Sequence, residues 1–156
     1  INEGEKSVSL GPNSAENYAN LGMTYRYVGR FEDSIRMTEK AIRLHPYYPD
    51  WYLYSLEYSY YYLGEYEKAI DIAKKHIKLI ESRGGTDTFW QHLILAQHYI
   101  RLGQEKEARY HATEALKMNP EYTFKWEREG SMYKDPALIE QQIEDLRKAG
   151  LTCEGE

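Results

Sequence analysis

The chain has 156 residues, a formal net charge of −5 at pH 7, 42% hydrophobic residues and a single cysteine, Cys153. That length describes one domain, able to bury roughly two-thirds of its unfolded surface. The acidic balance excludes a phosphate-neutralising nucleic-acid face, the lone cysteine excludes an internal disulfide framework and a zinc–thiolate cluster, and no apolar run reaches the ~18–20 residues of a membrane-crossing helix.

Fourteen Leu and 11 Ala stand beside only 2 Val, a helix-forming balance. Sixteen of the residues counted as hydrophobic are tyrosines, so tyrosine rings must supply part of the core. No signal-peptide pattern opens the chain, and a lone cysteine fits a reducing compartment; the expected location is the cytoplasm. The chain opens at Ile1 rather than Met and is expected to be a piece of a longer protein.

In chain order, residues 1–12 end in Leu10-Gly11-Pro12, an echo of Leu44-His45-Pro46 and Met118-Asn119-Pro120. They are expected to be the last turns of a second helix left from an upstream repeat. Asn13-Ser14-Ala15-Glu16 marks an N-cap with a capping-box partner. It opens a helix over about 14–27 in which Leu21, Tyr25 and Val28 share one face, and Gly29 ends it with a left-handed cap. A second helix over 31–44 carries Ile35, Thr38 and Ile42 on one face. The pair recurs over 50–62 and 66–81, where Ile70, Ala73 and Ile77 repeat the face, and again over 88–101 and 105–117. Five extra residues, Glu81-Ser82-Arg83-Gly84-Gly85, are expected to lengthen one helix or the loop after it. A further first helix over 122–133 holds Trp126, Gly130 and Tyr133 at the repeat spacing. Asp135-Pro136 then starts a new helix that runs to about Lys148 and ends at Gly150. This helix is polar on one side (Glu140, Gln141, Glu144, Asp145) and apolar on the other (Leu138, Ile139, Ile143, Leu146), as suits a solvent-facing cap on a stack of repeats.

Three segments align with one another. Tyr18-x-x-Leu21-Gly22-x-x-Tyr25-x-x-Val28-Gly29 is followed by Leu53-x-x-Leu56-Glu57-x-x-Tyr60-x-x-Leu63-Gly64 and His92-x-x-Leu95-Ala96-x-x-Tyr99-x-x-Leu102-Gly103. The closing glycines lie 35 and 39 residues apart. Small residues (Gly22, Ala41, Ala69, Ala96, Ala108, Ala115) recur where paired helices must approach closely. Period and anchors resemble the tetratricopeptide repeat. That resemblance implies an all-α, right-handed α-solenoid of helix-turn-helix repeats in a single domain spanning 1–156. Residues 1–12 are then an upstream remnant, 15–48, 50–83 and 89–122 are repeats, and 123–150 is a degenerate repeat plus capping helix. The chain departs from the family at Glu57, where Gly or Ala is usual, at His76, where a small residue is usual, and at Thr38, Ala73 and Ala112, where an aromatic is usual. A second resemblance lies in Pro49 to Ile70 and in Tyr133-Lys134-Asp135-Pro136-Ala137-Leu138 through Leu146-Arg147-Lys148-Ala149-Gly150-Leu151. Both are similar to the C-terminal repeat region of bacterial class III adenylate/guanylate cyclases, which implies an accessory signalling module.

The family's fold places the first helix of each pair along a concave face where partners bind. The positions outside the repeat signature are Glu16, Ala19, Asn20, Met23, Arg26 and Tyr27 in the first helix. In the next they are Trp51, Tyr54, Ser55, Tyr58, Tyr61 and Tyr62, and in the third Trp90, Leu93, Ile94, Gln97 and Arg101. Nine of the 16 tyrosines fall between Tyr47 and Tyr66. The candidate partner-binding residues are therefore Tyr27, Trp51, Tyr54, Tyr58, Tyr61, Tyr62, Trp90, Gln97 and Arg101, with aromatic rings as anchors. Chaperone-binding members of the family hold a C-terminal carboxylate with a clamp of Lys, Asn and Arg. Here those places carry Ala19, Met23, Ser55, Trp90 and Ile94, and the clamp is absent. Arg26 and Arg101 stand as isolated groove cations, read as partners of nearby acids or as solvated charges rather than as a designed anion site.

No histidine pair shows metal-ligand spacing, and no nucleophile elbow, phosphate loop or dinucleotide turn is present. No catalytic residue, metal site or cofactor is expected, and the chain is not expected to be an enzyme. Nor is nucleic-acid binding or membrane insertion. From Glu121 onward the sequence holds 9 acidic and 5 basic residues, read as a solubilising end rather than a docking surface. The expected function is non-catalytic interaction with a protein or peptide through the aromatic groove, as the accessory region of a larger bacterial signalling protein such as a nucleotide cyclase. The alternatives are a dimerisation module and a small-molecule-sensing domain.

Overall fold

The computed structural model describes residues 1–153; Glu154, Gly155 and Glu156 lie outside the described residues. Among the described residues, nine helices and no strands are present: α1 (Asn2–Leu10), α2 (Ala15–Tyr27), α3 (Phe31–Leu44), α4 (Tyr52–Tyr62), α5 (Tyr66–Ser82), α6 (Phe89–Arg101), α7 (Glu105–Met118), α8 (Phe124–Gly130) and α9 (Ala137–Lys148). Each helix from α2 to α6 packs on the next, and the first helices α2 and α4 also touch. That is the nearest-neighbour packing of a helical-repeat solenoid.

The turns explain the repeat. Gly29, Gly64 and Gly103 sit at φ of 81°, 77° and 71°, a left-handed conformation that side chains resist. In each turn the next amide donates back five residues: Arg30 to Tyr25 at 2.8 Å, Glu65 to Tyr60 at 2.9 Å and Gln104 to Tyr99 at 2.9 Å. This hydrogen bond satisfies a carbonyl the helix would otherwise orphan. At α2, the Ser14 hydroxyl caps the helix by accepting the Asn17 amide at 3.3 Å, while the Asn17 side chain donates to the Ser7 carbonyl of α1 at 3.0 Å. Residues 2–10 thus form a short helix of their own, tied to the first repeat.

Close approach is tightest at Gly22. A Cβ there would overlap the Thr38 hydroxyl oxygen and come within 3.1 Å of the Ser34 carbonyl oxygen. The alanines at 41, 69, 96, 108 and 115 are likewise fully buried. Tyrosines do enter the core: Tyr18, Tyr25, Tyr48, Tyr52, Tyr61, Tyr99 and Tyr122 are all buried. The extra residues at 81–85 extend α5 to 17 residues, against 14 for α3 and α7, and also lengthen the loop that follows.

The C-terminal segment differs from its expectation. The first helix foreseen over 122–133 is only the seven residues of α8; beyond it the chain leaves the helix and runs back across the concave face. The Lys134 amide donates to the Tyr27 carbonyl of α2 at 2.9 Å. Asp135 then caps α9, its Oδ1 accepting the Ala137 amide at 3.0 Å. α9 is not a solvent-facing cap. It packs against α6, and Ile139, Gln142, Ile143, Asp145 and Leu146 are all buried. Its apolar side joins Leu93, Ile94, Leu95 and Phe124 in one core cluster. Three branched aliphatic side chains removed from water supply the driving force, at roughly 1.5–3 kcal/mol each.

Candidate functional site

α9 divides the concave face into a covered half and an open half. In the covered half, Asp145 is wholly buried and receives two donors: the Tyr61 hydroxyl, and Arg101 Nε at 2.5 Å. The Tyr62 hydroxyl donates to the Leu138 carbonyl at 2.9 Å and accepts Gln142 Nε2 at 2.5 Å. Burial raises the Asp145 carboxyl pKa, while the bonds from Tyr61 and Arg101 pull it down.

The open half is a cavity of about 460 Å³. α2 contributes Met23, Arg26 and Tyr27; the start of α4 contributes Trp51, Tyr54, Ser55 and Tyr58; α6 contributes Trp90. Trp51, Tyr54, Ser55 and Tyr58 follow helical steps of three and four, which put them on one face. The far wall is the returning chain: Trp126, Glu127, Gly130 to Tyr133, Ile139 and Gln142. The chain has three tryptophans, and all three line this cavity.

Two of the sequence's departures from the repeat pattern stand behind the Tyr54 wall and meet each other. Glu57 and His76 are wholly buried, with His76 Nδ1 and Glu57 Oε1 2.8 Å apart. The Tyr54 ring stands edge-on to His76 at 4.8 Å, and its hydroxyl accepts Gln91 Nε2 at 2.9 Å. Burial, then the charge of Glu57, pushes the Tyr54 pKa up to about 12. Burial raises the Glu57 pKa too, against the pull of His76. Tyr58 is likewise held well above the usual tyrosine value, by burial first and Glu127 next, with Arg26 pulling the other way. Tyr54 and Tyr58 are therefore neutral rings at physiological pH.

Arg26 is 6% exposed and faces three rings, with its guanidinium carbon 4.4, 5.2 and 5.6 Å from the centroids of Tyr27, Tyr58 and Tyr133. Glu127 accepts the Tyr122 hydroxyl at 2.7 Å, and burial raises its pKa.

Of the nine candidate residues, the structure gathers Tyr27, Trp51, Tyr54, Tyr58 and Trp90 around the cavity. Tyr61, Tyr62, Gln97 and Arg101 do not line it. Tyr61 and Gln97 are each 1% exposed, and Tyr61, Tyr62 and Arg101 are hydrogen-bonded to α9. Ala19, Ser55, Leu93 and Ile94, also placed on the groove by spacing, are buried. Arg101 is the partner of a nearby acid, Asp145. Trp126, Glu127, Met132 and Tyr133 are wall residues that sequence reasoning does not find. Their only signal is the repeat spacing of Trp126 and Tyr133, which points to an ordinary first helix. The structure also brings His92 and His111 together, with their Nδ1 atoms 2.9 Å apart; burial lowers both pKa values. Among the described residues no group of three or more His, Cys, Asp or Glu is placed to hold a metal ion, and no helix is long and apolar enough to cross a membrane.

Residues 15–48 match the family model described as a tetratricopeptide repeat. No curated protein sequence matches the chain. Several solved structures share its fold. One reported as the crystal structure of MamA has a TM-score of 0.66 at 21% identity, over 94% of this chain and 82% of that one. A MamA RS-1 double mutant has a TM-score of 0.66 at 14% identity, over 94% and 80%. A thermophilic TPR protein of Thermus thermophilus has a TM-score of 0.60 at 23% identity, over 92% and 70%. At these identities the likeness is one of fold: an all-α solenoid of helical repeats.

Proposed function

We propose that this chain is a non-catalytic protein-interaction module that docks a segment of a partner protein in the open half of its concave face. The observation that carries the reading is the convergence of all three tryptophans, with Tyr54 and Tyr58, on one open cavity. Rigid aromatic rings give large contact area at little entropic cost and concentrate binding energy. Trp90 and Trp126 remain 39% and 45% exposed, so apolar surface is left for a partner to cover. The docking anchors are Trp51, Tyr54, Tyr58, Trp90 and Trp126. Tyr61, Tyr62 and Arg101 serve instead to hold α9 in the covered half.

The test is selection of a random displayed peptide library on the chain, counter-selected on a Tyr54→Ala/Trp90→Ala variant. Tryptophan fluorescence follows binding, since every tryptophan reports from the cavity wall. Peptides that bind the chain, quench or shift its emission and fail on the variant support the reading. A library that enriches nothing over the variant refutes it. For the setting, we propose the accessory region of a nucleotide cyclase, on the wording of residues 133–151. A parent reading frame without a cyclase catalytic domain would refute that part alone.

A further inference from the structure

The two halves of the concave face each hold an arginine, and only one has an acid at ion-pair distance. In the covered half, α9 lays apolar Ile139, Ile143 and Leu146 into the groove and gives Asp145 to Arg101, Nε to Oδ2 at 2.5 Å. In the open half, Arg26 lies deep in the cavity wall and forms no ion pair with any described carboxylate; its Nε is shielded from solvent and has no hydrogen-bond partner. The rings of Tyr27, Tyr58 and Tyr133 attract the charge. They cannot satisfy the guanidinium's in-plane N–H groups, which call for oxygen acceptors, best a carboxylate.

Resting on the docking reading above, we infer that the partner segment carries an acidic side chain beside an aromatic or aliphatic one. Its carboxylate pairs with Arg26 as Asp145 pairs with Arg101, and its apolar neighbour sits among Trp51, Tyr54 and Trp90. A side-chain carboxylate suits the depth of Arg26. One or two methylenes carry it past the rings, whereas a main-chain carboxylate would bring its peptide N–H and C=O groups to the same depth, where any left unpaired costs free energy. Glu127 in the same wall and Glu57 behind Tyr54 are opposing charges. Glu127 is engaged by Tyr122 and Glu57 by His76, and Glu127 is expected to weaken the acid's binding somewhat.

The peptide selection described above decides this, with Arg26→Gln as an added bait. The expected result is enrichment of Asp or Glu within three positions of an aromatic or aliphatic residue on the unaltered chain. On Arg26→Gln the acid preference is lost and the apolar one kept. Replacing the acid of a selected peptide by its amide (Glu→Gln) should weaken its binding about tenfold or more, and Glu127→Gln should tighten the acidic peptide. Apolar enrichment without an acid, or equal binding of Glu and Gln peptides, overturns the inference and leaves the docking reading standing. No enrichment over the Tyr54→Ala/Trp90→Ala variant overturns both. If Arg26→Gln does not fold, the peptide exchange decides alone, because it leaves the protein untouched.

Discussion

The anchoring of α9 can be measured at Asp145. This carboxylate is wholly buried, accepts the Tyr61 hydroxyl and Arg101 Nε, and has a second oxygen with no partner. Asp145→Ala strands both donors. A buried hydroxyl left unpaired costs about 1–3 kcal/mol, and breaking a fully buried ion pair costs about 3–5 kcal/mol. The second figure does not apply in full, because the Arg101 side chain is 29% exposed and can recover water. Removing Asp145 also relieves its own desolvation. The expected net loss is therefore about 2–3 kcal/mol, read from urea denaturation at pH 7. Tyr61→Phe should cost about 1 kcal/mol in the parent and close to nothing once Asp145 is Ala, because the cycle isolates the shared hydrogen bond. Amide hydrogen exchange should accelerate first over Ala137–Lys148. A loss below about 0.5 kcal/mol, or a Tyr61→Phe cost equal in both backgrounds, would mean that α9 is held without Asp145, by its apolar side and the Tyr62 hydrogen bonds.

His98 is wholly buried, both ring nitrogens lack partners, and burial lowers its pKa to about 3. Its folded pKa lies below the unfolded one, so its share of stability is full above about pH 6.5 and falls as acid is added. The chain should lose about 2 kcal/mol relative to a His98→Leu variant between pH 7 and about pH 5; parallel pH profiles in denaturant melts would contradict this. Gly22→Ala drives a methyl onto the Thr38 hydroxyl and should destabilise by about 1–3 kcal/mol despite alanine's better helix propensity, with Thr38→Ala recovering part of the loss in thermal melts. Gly64→Ala, at φ 77° with no atom near the added methyl, should cost about 1 kcal/mol from backbone strain alone. Trp90→Ala, 39% exposed, should cost about 1 kcal/mol or less in stability while removing selected-peptide binding; intact binding would move the anchor elsewhere.

The helix pairs are legible in the sequence because their signals are local. Leu21, Tyr25 and Val28 mark a face within two turns, and Gly29, Gly64 and Gly103 mark the reversals by their backbone freedom. What cannot be read is where the last helix goes. Tyr61 and Asp145 are 84 residues apart, and periodicity says only that α9 has an apolar side, not which surface will cover it. The brevity of α8 is hidden for a related reason. Trp126, Gly130 and Tyr133 keep the repeat spacing, yet the chain leaves the helix after Gly130. Tyr133 then reaches the rings of Tyr27 and Tyr62, at 5.4 and 5.6 Å. Helical spacing puts Tyr54 and Tyr58 on the face that lines the cavity, and it puts Tyr62 and Arg101 on a groove as well. It cannot reveal that α9 already occupies their part of it.

Some of the sequence's irregularities border the cavity: Glu57 and His76 stand behind Tyr54, and the shortened α8 leads into the far wall. A repeat built only for stacking would keep small residues at 57 and 76. Here a carboxylate and an imidazole replace them together, and each supplies the other's hydrogen bond in a site that would punish either alone. The pair stands behind Tyr54, whose ring meets His76 and whose hydroxyl is held by Gln91. These two contacts hold Tyr54 in the cavity wall. On the other side, α8 carries Trp126 in the wall and, by ending at Gly130, lets Tyr133 reach the rings of Tyr27 and Tyr62, while α9 fills only half of the groove. At Glu57–His76 and at the end of α8, departures from the repeat pattern border one cavity, and the hydrogen bond between Glu57 and His76 offsets part of the cost of burying the two together.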